Sequence, residues 1–435
     1  MLWLALVVFV GLTRNIMMLL IRFIICYASI SFERKVLCRL GFQLRFPRDR
    51  EEVLSNPLHL FNILRSHGAV PFDSVLDSIH PLSSIESEPD KNSTSGSVTL
   101  SYNNETSIKL FLKFQTGKGM AMWMQALRAA AEPGIVREVD FYTKLAEHVP
   151  LRTPKCYAAE KLPYYNVVFV ALEHIDLKFD SLEHRVKDVD SYRVTPDHVF
   201  DSIDDMRLIL TKLATMHSTF LGTVQTNPHS SWIPAKRGLK YCDFVASLGG
   251  FNKPPFYLNV FRSLEKYFLD KPLTLVHGDC RPGNMIYVGF PAKEIIFADW
   301  EATNAAPLAW DFTYATTIGL PEELRKEHQL NLLRDYHASL EQDEYSLEEL
   351  QDDVLLLVIV LFYVSYTVTA GGFWSNQGNT TADQFAWLHR VMTALLEIDV
   401  LKVSELLEIS CQDIQELKNF ASTWQQSIFS ESHKK

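Results

Sequence analysis

Residues 273–301 constrain this chain more tightly than any other stretch. They open with LTLVHGDCRPGNMIYV and close with EIIFADWE. The apolar run 273–276 reads as a strand that leads into His277-Gly278-Asp279. Met285–Val288 and Glu294–Ala298 are two short apolar runs around a turn, and Asp299 follows the second. Asn284 stands five residues after Asp279, and Asp299 fifteen after Asn284. A strand, a short polar loop and a hairpin in this order bring a carboxylate, an amide and a second carboxylate to one point.

That set suits one chemistry. Phosphoryl transfer from ATP needs a carboxylate that takes or orients the proton of the attacking hydroxyl. It also needs an amide and a second carboxylate that hold Mg²⁺ against the phosphates. Asp279 is therefore the candidate catalytic residue, and Asn284 and Asp299 are the candidate metal ligands. An isolated Asp in a loop caps or turns the backbone; the spaced trio is what gives Asp279 a chemical reading. His277 reads as a structural residue that holds the loop. Nothing beside Cys280 would lower its pKa, so it reads as inert.

Elsewhere the chain changes character along its length. With 47% hydrophobic and 22% charged residues it has the composition of a folded protein. Residues 83–97 have loop composition. Strands are predicted over 98–102 and 107–115 around a turn at Asn103-Asn104-Glu105, and a further strand over 164–175. A helix is predicted over 120–147, and the pattern after residue 175 is mostly helical. The acidic run 341–353 has two readings: a negative rim for a cationic acceptor, or the acid-rich start of a helix over 352–369 capped by Ser346 and Glu349. Gly371-Gly372 would end that helix. The fold class expected is α+β, with a small strand-rich N-terminal lobe and a larger, mostly helical C-terminal lobe.

The motif HGDxxxxN, with an Asp fifteen residues after its Asn, resembles that of the aminoglycoside phosphotransferase and choline kinase-like superfamily. LFLKF (110–114), VREVDFY, FVALEHI, LATMHSTF and WDFTYA resemble further segments of that superfamily, in the same order over residues 108–318. The resemblance implies a protein-kinase-like bilobal fold and an ATP- and Mg²⁺-dependent transfer of the γ-phosphate to a hydroxyl of a small molecule. It implies that Lys113 pairs with the nucleotide phosphates, that Glu138 holds that lysine, and that Glu173 and its neighbours offer backbone groups to adenine. LATMHSTF, with His217, resembles the family's long C-lobe helix, and Asp311 of WDFTYA reads as a structural residue that bonds loop backbone beneath the site. Lys109 lies four residues before Lys113 on the same face of the strand. The spacing to Glu138 and the apolar neighbours favour Lys113. The stretch equivalent to the phosphate-covering loop has only Gly96. A competing reading of the same chain is a membrane-tethered pseudokinase that binds nucleotide or acts as a scaffold.

The N-terminus suggests that tether. MLWLALVVFVGL and IMMLLIRFIICYASI flank Thr13-Arg14-Asn15. Together they are long enough to span a bilayer. The basic residues of the following flank place it on the cytoplasmic side. The expected organisation is a membrane anchor at 1–31, a basic juxtamembrane segment at 32–57, an N-lobe at 58–172 and a C-lobe at 173–429. The protein would then be membrane-associated, with its kinase domain facing the cytoplasm. A net charge of −10 argues against nucleic acid as a partner. Six cysteines without a pairing pattern argue against a disulfide-linked partner. The expected partner is a small hydroxyl acceptor of cationic or lipid-like character.

Overall fold

Strict alternation along TSIKLFLKF organises the first half of the molecule. Leu110, Leu112 and Phe114 point one way and are fully buried, while Lys109, Phe111 and Lys113 point the other. The computed structural model describes residues 24, 46–47, 49–82, 94–104, 106–114, 137–161, 168–179, 192–194, 200, 202–235, 255–289, 292–342, 345–375 and 382–432. Two compact units divide the chain. One takes in residues 1–147 and 154–176, the other residues 148–153 and 177–435.

The first unit holds an antiparallel sheet of β1 (Leu76–Pro81), β2 (Thr94–Tyr102), β3 (Thr106–Phe114), β4 (Cys156–Lys161) and β5 (Val168–Glu173) in the order β1-β2-β3-β5-β4. The predicted hairpin is present. Asn103 and Asn104 both take a positive φ between paired Tyr102 and Thr106. Asparagine tolerates that conformation better than most residues. Two short helices, α1 (Arg50–Ser55) and α2 (Pro57–Ser66), cover the apolar face. Val53, Leu60, Phe61 and Leu64 meet Leu100, Leu110, Leu112 and Phe169 in one core. Asp49 caps α1 by accepting from the amide of Glu52 at 2.9 Å. A third helix, α3 (Glu138–Lys144), completes the unit.

The second unit is mostly helical. It contains α4 (Ile203–Phe220), α5 (Pro255–Leu269), α6 (Trp310–Gly319), α7 (Glu322–Ala338), α8 (Leu347–Ser375), α9 (Ala382–Glu397), α10 (Val400–Leu407) and α11 (Cys411–Ser432). Its strands are short. β6 (Leu177–Phe179), β7 (Tyr192–Val194), β9 (Met285–Val288) and β10 (Glu294–Phe297) form one sheet in the order β10-β9-β7-β6. β8 (Leu273–Val276) pairs with β11 (Asn304–Pro307). The α+β class and the division into a small strand-rich part and a larger helical part are as expected.

Several local expectations need correction. Thr94–Ser97 belong to β2 rather than to the loop, since they pair with Phe111–Phe114. Among the described residues of the helix predicted over 120–147, only Glu138–Lys144 are α-helical; residues 115–136 lie outside the description. The Ser346–Glu349 box forms: Glu349 accepts from the Ser346 amide at 2.9 Å, and Ser346 Oγ accepts from the Glu349 amide at 3.2 Å. Yet α8 starts at Leu347 and runs through Gly371-Gly372 to Ser375. Its apolar stretch from Leu356 to Tyr363 is buried, which offsets the low helix propensity of the glycines further on.

The membrane expectation is also corrected. Among the described residues no helix is long and apolar enough to cross a membrane. The transmembrane anchor, the membrane partner and the membrane-associated localisation are therefore withdrawn. Residues 1–31 lie outside the description apart from Ile24, whose side chain is exposed.

Leu112 anchors the apolar face of β3 with no exposed surface. Leu112→Ala should cost about 2–5 kcal/mol through lost transfer energy and a residual cavity. Urea denaturation of the full chain should show a lower midpoint at unchanged slope.

Candidate active site

The first unit contributes an ion pair. Lys113 projects from β3 away from the core, and its Nζ lies 2.8 Å from Glu138 Oε2. Glu138 is the first residue of α3, where the helix dipole favours a carboxylate. Its side chain is 1% exposed and that of Lys113 13%, so neither charge is left to bulk water. Lys109 pairs instead with Asp176 at 2.8 Å, with both side chains largely exposed. Of the two rival lysines, the structure brings Lys113 to Glu138. Glu173 ends β5, and its backbone amide donates to the Lys155 carbonyl at 2.7 Å. Its carboxylate accepts from the Lys155 amide at 3.2 Å. Burial and the nearby Glu138 carboxylate push the Cys156 thiol up to about 12, which leaves it unreactive. Gly96 lies in β2, where an added Cβ would sit 2.5 Å from Arg50 Cδ. Residues 83–93, the rest of the glycine-poor stretch, lie outside the description.

The second unit builds its half from the β8–β11 pair outward. β8 delivers His277, and Gly278 follows with φ +86°. A Cβ there would stand 2.3 Å from the Ala302 carbonyl oxygen, so only glycine fits the close approach of the two chain segments. The amides of His277 and Gly278 donate to Asp311 Oδ2 and Oδ1 at 2.7 and 2.9 Å. Asp311 lies fully buried near the start of α6. His217 of α4 completes its shell, with Nε2 at 3.1 Å from Oδ2 and Nδ1 at 2.6 Å from the Tyr336 hydroxyl. Burial alone would raise the Asp311 pKa, but the hydrogen bond and charge of His217, with His277 and the Gly278 amide, outweigh it and lower it.

His277 fastens this loop to the next segment. Its Nδ1 accepts from the Asp279 amide at 3.3 Å, and its Nε2 donates to the Ala298 carbonyl at 2.9 Å. The Ala298 amide in turn donates to the Asn284 carbonyl at 2.9 Å. Asn284 and Asp299 thus flank the same end of the β9–β10 hairpin. Asp299 itself adopts φ 62°, ψ 62°, a left-handed conformation rare for a non-glycine residue. Local backbone strain of this kind recurs at functional positions.

Asp279 is held from three sides. Its Oδ1 accepts from the Tyr314 hydroxyl at 2.6 Å. Its Oδ2 accepts from Asn284 Nδ2 at 2.9 Å and from Arg281 Nε at 3.0 Å. Burial opposes the Arg281 charge, but Asp279, Tyr314 and Asp299 outweigh it and raise its pKa. Burial and the Asp279 charge push the Tyr314 phenol well up, so it donates as a neutral hydroxyl. The guanidinium of Arg281 lies 5.1 Å from the centre of the Trp387 ring on α9. Burial, with the charges of Asp311 and Asp279, also raises the Cys280 pKa.

The loop thus brings Asp279 and Asn284 together and is tied through Ala298 to the segment that carries Asp299, and the first unit separately pairs Lys113 with Glu138. Sequence reasoning missed Tyr314, Arg281 and Trp387. Tyr314 had a signal, since it lies three residues after Asp311 on one helix and so shares its face. Trp387 had none.

The donor set fits a small hard cation. Asn284 spends its Nδ2 on Asp279 and keeps a carbonyl oxygen, and Asp299 offers a carboxylate. Among the described residues no group of three or more His, Cys, Asp and Glu side chains could hold a metal ion. One carboxylate and one amide suit Mg²⁺, which keeps waters and phosphate oxygens as its other ligands.

Residues 256–350 match the model of the ecdysteroid kinase-like family. The match runs from α5 through the loop, the hairpin and Asp311 into the start of α8. It agrees with the kinase-like resemblance that the motif of this segment carries. Similar solved structures include a spectinomycin phosphotransferase in complex with ADP and spectinomycin, at 12% identity over 82% of this chain and 98% of that one, TM-score 0.43. Another is a choline kinase from Streptococcus pneumoniae, at 15% identity over 80% of this chain and 99% of that one, TM-score 0.43. A third is an ethanolamine kinase from Plasmodium vivax, at 13% identity over 81% and 95%, TM-score 0.45. No curated protein matches the sequence. The membrane-tethered pseudokinase reading gains no support, since no described helix can span a membrane.

The lowered Asp311 pKa sets a direction for acid stability. A depressed carboxyl stabilises fully above its ordinary value of 3.8 and loses this contribution as pH falls through the folded value. Asp311→Asn strips one partner from a buried pair and should cost about 3–5 kcal/mol at neutral pH. Denaturation curves at successive pH values should show the gap between wild type and variant closing below about pH 4.

Proposed function

We propose that this protein transfers the γ-phosphate of ATP to a hydroxyl group of a small molecule. The observation that carries the reading is the carboxylate of Asp279, fixed by Asn284, Tyr314 and Arg281 on a loop that His277 and Asn284 tie to the segment before Asp299. The family match over the same residues supports it.

In this reading Asp279 orients the acceptor hydroxyl and receives its proton. The acceptor oxygen forms a bond to the γ-phosphorus. The bond from that phosphorus to the bridging oxygen breaks, and its electron pair leaves with ADP. Lys113 holds phosphate oxygens, and Glu138 keeps the lysine extended. The backbone around Glu173 receives the adenine. Asn284 and Asp299 would hold Mg²⁺, which would supply positive charge against the phosphates. Tyr314 and Arg281 fix the orientation of Asp279, since each occupies one of its oxygens. The family's description makes an ecdysteroid-like compound the first acceptor to screen, beside cationic and lipid-like alcohols. The boundaries 58–172 and 173–429 remain our proposal for its two lobes.

ATP consumption with and without Mg²⁺ across a panel of hydroxyl compounds tests the reading. Asp279→Asn should lower turnover by about 10²–10⁴-fold with little change in ATP affinity. Asp299→Ala should abolish the Mg²⁺ dependence of ATP binding measured by calorimetry. Full turnover by Asp279→Asn would remove it from the role of base, and Mg²⁺-independent ATP binding by the wild type would overturn the kinase assignment.

A further inference from the structure

We propose that Arg281 holds the γ-phosphoryl group of ATP through its two terminal nitrogens while that group passes to the acceptor. The inference rests on the kinase reading and deepens it by assigning a phosphate contact to the second unit. A guanidinium carries five N–H donors. Arg281 spends one of them. Its Nε donates to Asp279 Oδ2 at 3.0 Å, and among the described residues neither terminal nitrogen makes a hydrogen bond. Other arginines of this unit behave differently. Arg207 places Nη1 on Asp204, Arg325 places Nη2 on Glu397, and Arg390 places Nη1 on the Ile318 carbonyl.

The unspent donors of Arg281 are nevertheless held in place. The side chain is 26% exposed. The Trp387 ring centre lies 5.1 Å from the guanidinium carbon. Burial opposes the charge, but Asp279, Tyr314 and Asp299 outweigh it, so the group stays protonated. Only Asp279 bonds to the guanidinium, which leaves the Asp299 carboxylate able to take a cation. A fixed guanidinium with an open fork is suited to an oxyanion, because paired N–H donors match two oxygens of one phosphate.

The position of the fork agrees with that role. Asp279 turns its oxygens to two sides: Oδ1 meets Tyr314, and Oδ2 meets both Arg281 and Asn284. Asn284 is a candidate metal ligand, so phosphates held by that metal would lie on the Oδ2 side, with Arg281. An acceptor hydroxyl about 2.8 Å from Asp279 puts the phosphorus it attacks within about 5 Å of the carboxylate. The terminal nitrogens lie two bonds of about 1.3 Å beyond Nε, in the same range. In the transfer the acceptor oxygen bonds to the γ-phosphorus, and the hydroxyl proton passes to Asp279. The bond to the bridging oxygen breaks, and its electron pair leaves with ADP. Arg281 gains and loses nothing; it lies against the non-bridging oxygens, over which the charge is spread.

Calorimetric titration of ATP and of ADP, both with Mg²⁺, tests this in full-length Asp279→Asn. That background lacks the Asp279 charge, so an Arg281 that acted only by neutralising Asp279 would have no effect there, and turnover is too slow to consume the ATP. Adding Arg281→Met should weaken ATP binding about 10–100-fold, the loss expected for a charge-assisted contact, and leave ADP binding within about twofold. An unchanged ATP affinity would overturn the proposal, and so would equal losses for ATP and ADP. If the double variant lacks the helical circular dichroism of Asp279→Asn, Arg281→Gln replaces Arg281→Met in the same comparison. Mg²⁺-dependent ATP binding by Asp279→Asn that is indifferent to Arg281 removes this assignment and leaves the kinase reading standing. Absence of that binding from the wild type as well removes both.

Discussion

The carboxylate of Asp311 holds the second unit's half of the site together. It is fully buried, and it accepts from two consecutive backbone amides at the point where β8 becomes the loop. Those amides have no strand partner there, and an unpaired buried amide is costly. Asp311 therefore sets where the chain turns. His217 keeps Asp311 charged in a place where burial alone would neutralise it. Tyr336 then orients His217. Four elements, α4, β8, α6 and α7, meet through this one network, and Asp279 follows it by one residue.

From that anchor the loop gains its geometry by a series of short links. Gly278 lets it pass against the Ala302 carbonyl. His277 ties it to Ala298, and the Ala298 amide ties the hairpin to Asn284. The result fixes two segments that lie about twenty residues apart in sequence. Precise placement of a reacting group matters because a small displacement is expensive in rate. The network supplies that placement without spending either oxygen of Asp279, which are left for Tyr314, Asn284 and Arg281.

The first unit solves a different problem. It must keep a lysine charged while most of its side chain is out of water. The alternating pattern of β3 does this by putting apolar residues into the core beneath α1 and α2 and leaving Lys113 on the other face. Glu138, at the first turn of α3, supplies the counter-charge. Lys109 has the same parity on the strand but remains exposed and pairs with Asp176. The two lysines share a face, and the environment differs because the helix end reaches only one of them.

Local patterns carried much of this. The Asn103-Asn104 hairpin and the Ser346–Glu349 cap were legible because each depends on residues a few positions apart. Asp279, Asn284 and Asp299 were legible for the same reason: one loop and one hairpin hold all three. The α+β class followed from the alternation of strand-like and helical runs. The run through Gly371-Gly372 was misread, because burial of the helix before it outweighs the local preference of two glycines. The N-terminal run read as a membrane anchor by its apolar composition, a property that by itself also fits a buried segment. The contact between the Asp279 loop and Trp387 was decided by tertiary structure. Arg281 is next but one in sequence and pairs with Asp279 locally, but its seat on Trp387 depends on α9, more than a hundred residues away. Sequence spacing determines which groups a loop can present. Which charges those groups face depends on the packing of distant helices, and no local pattern encodes that.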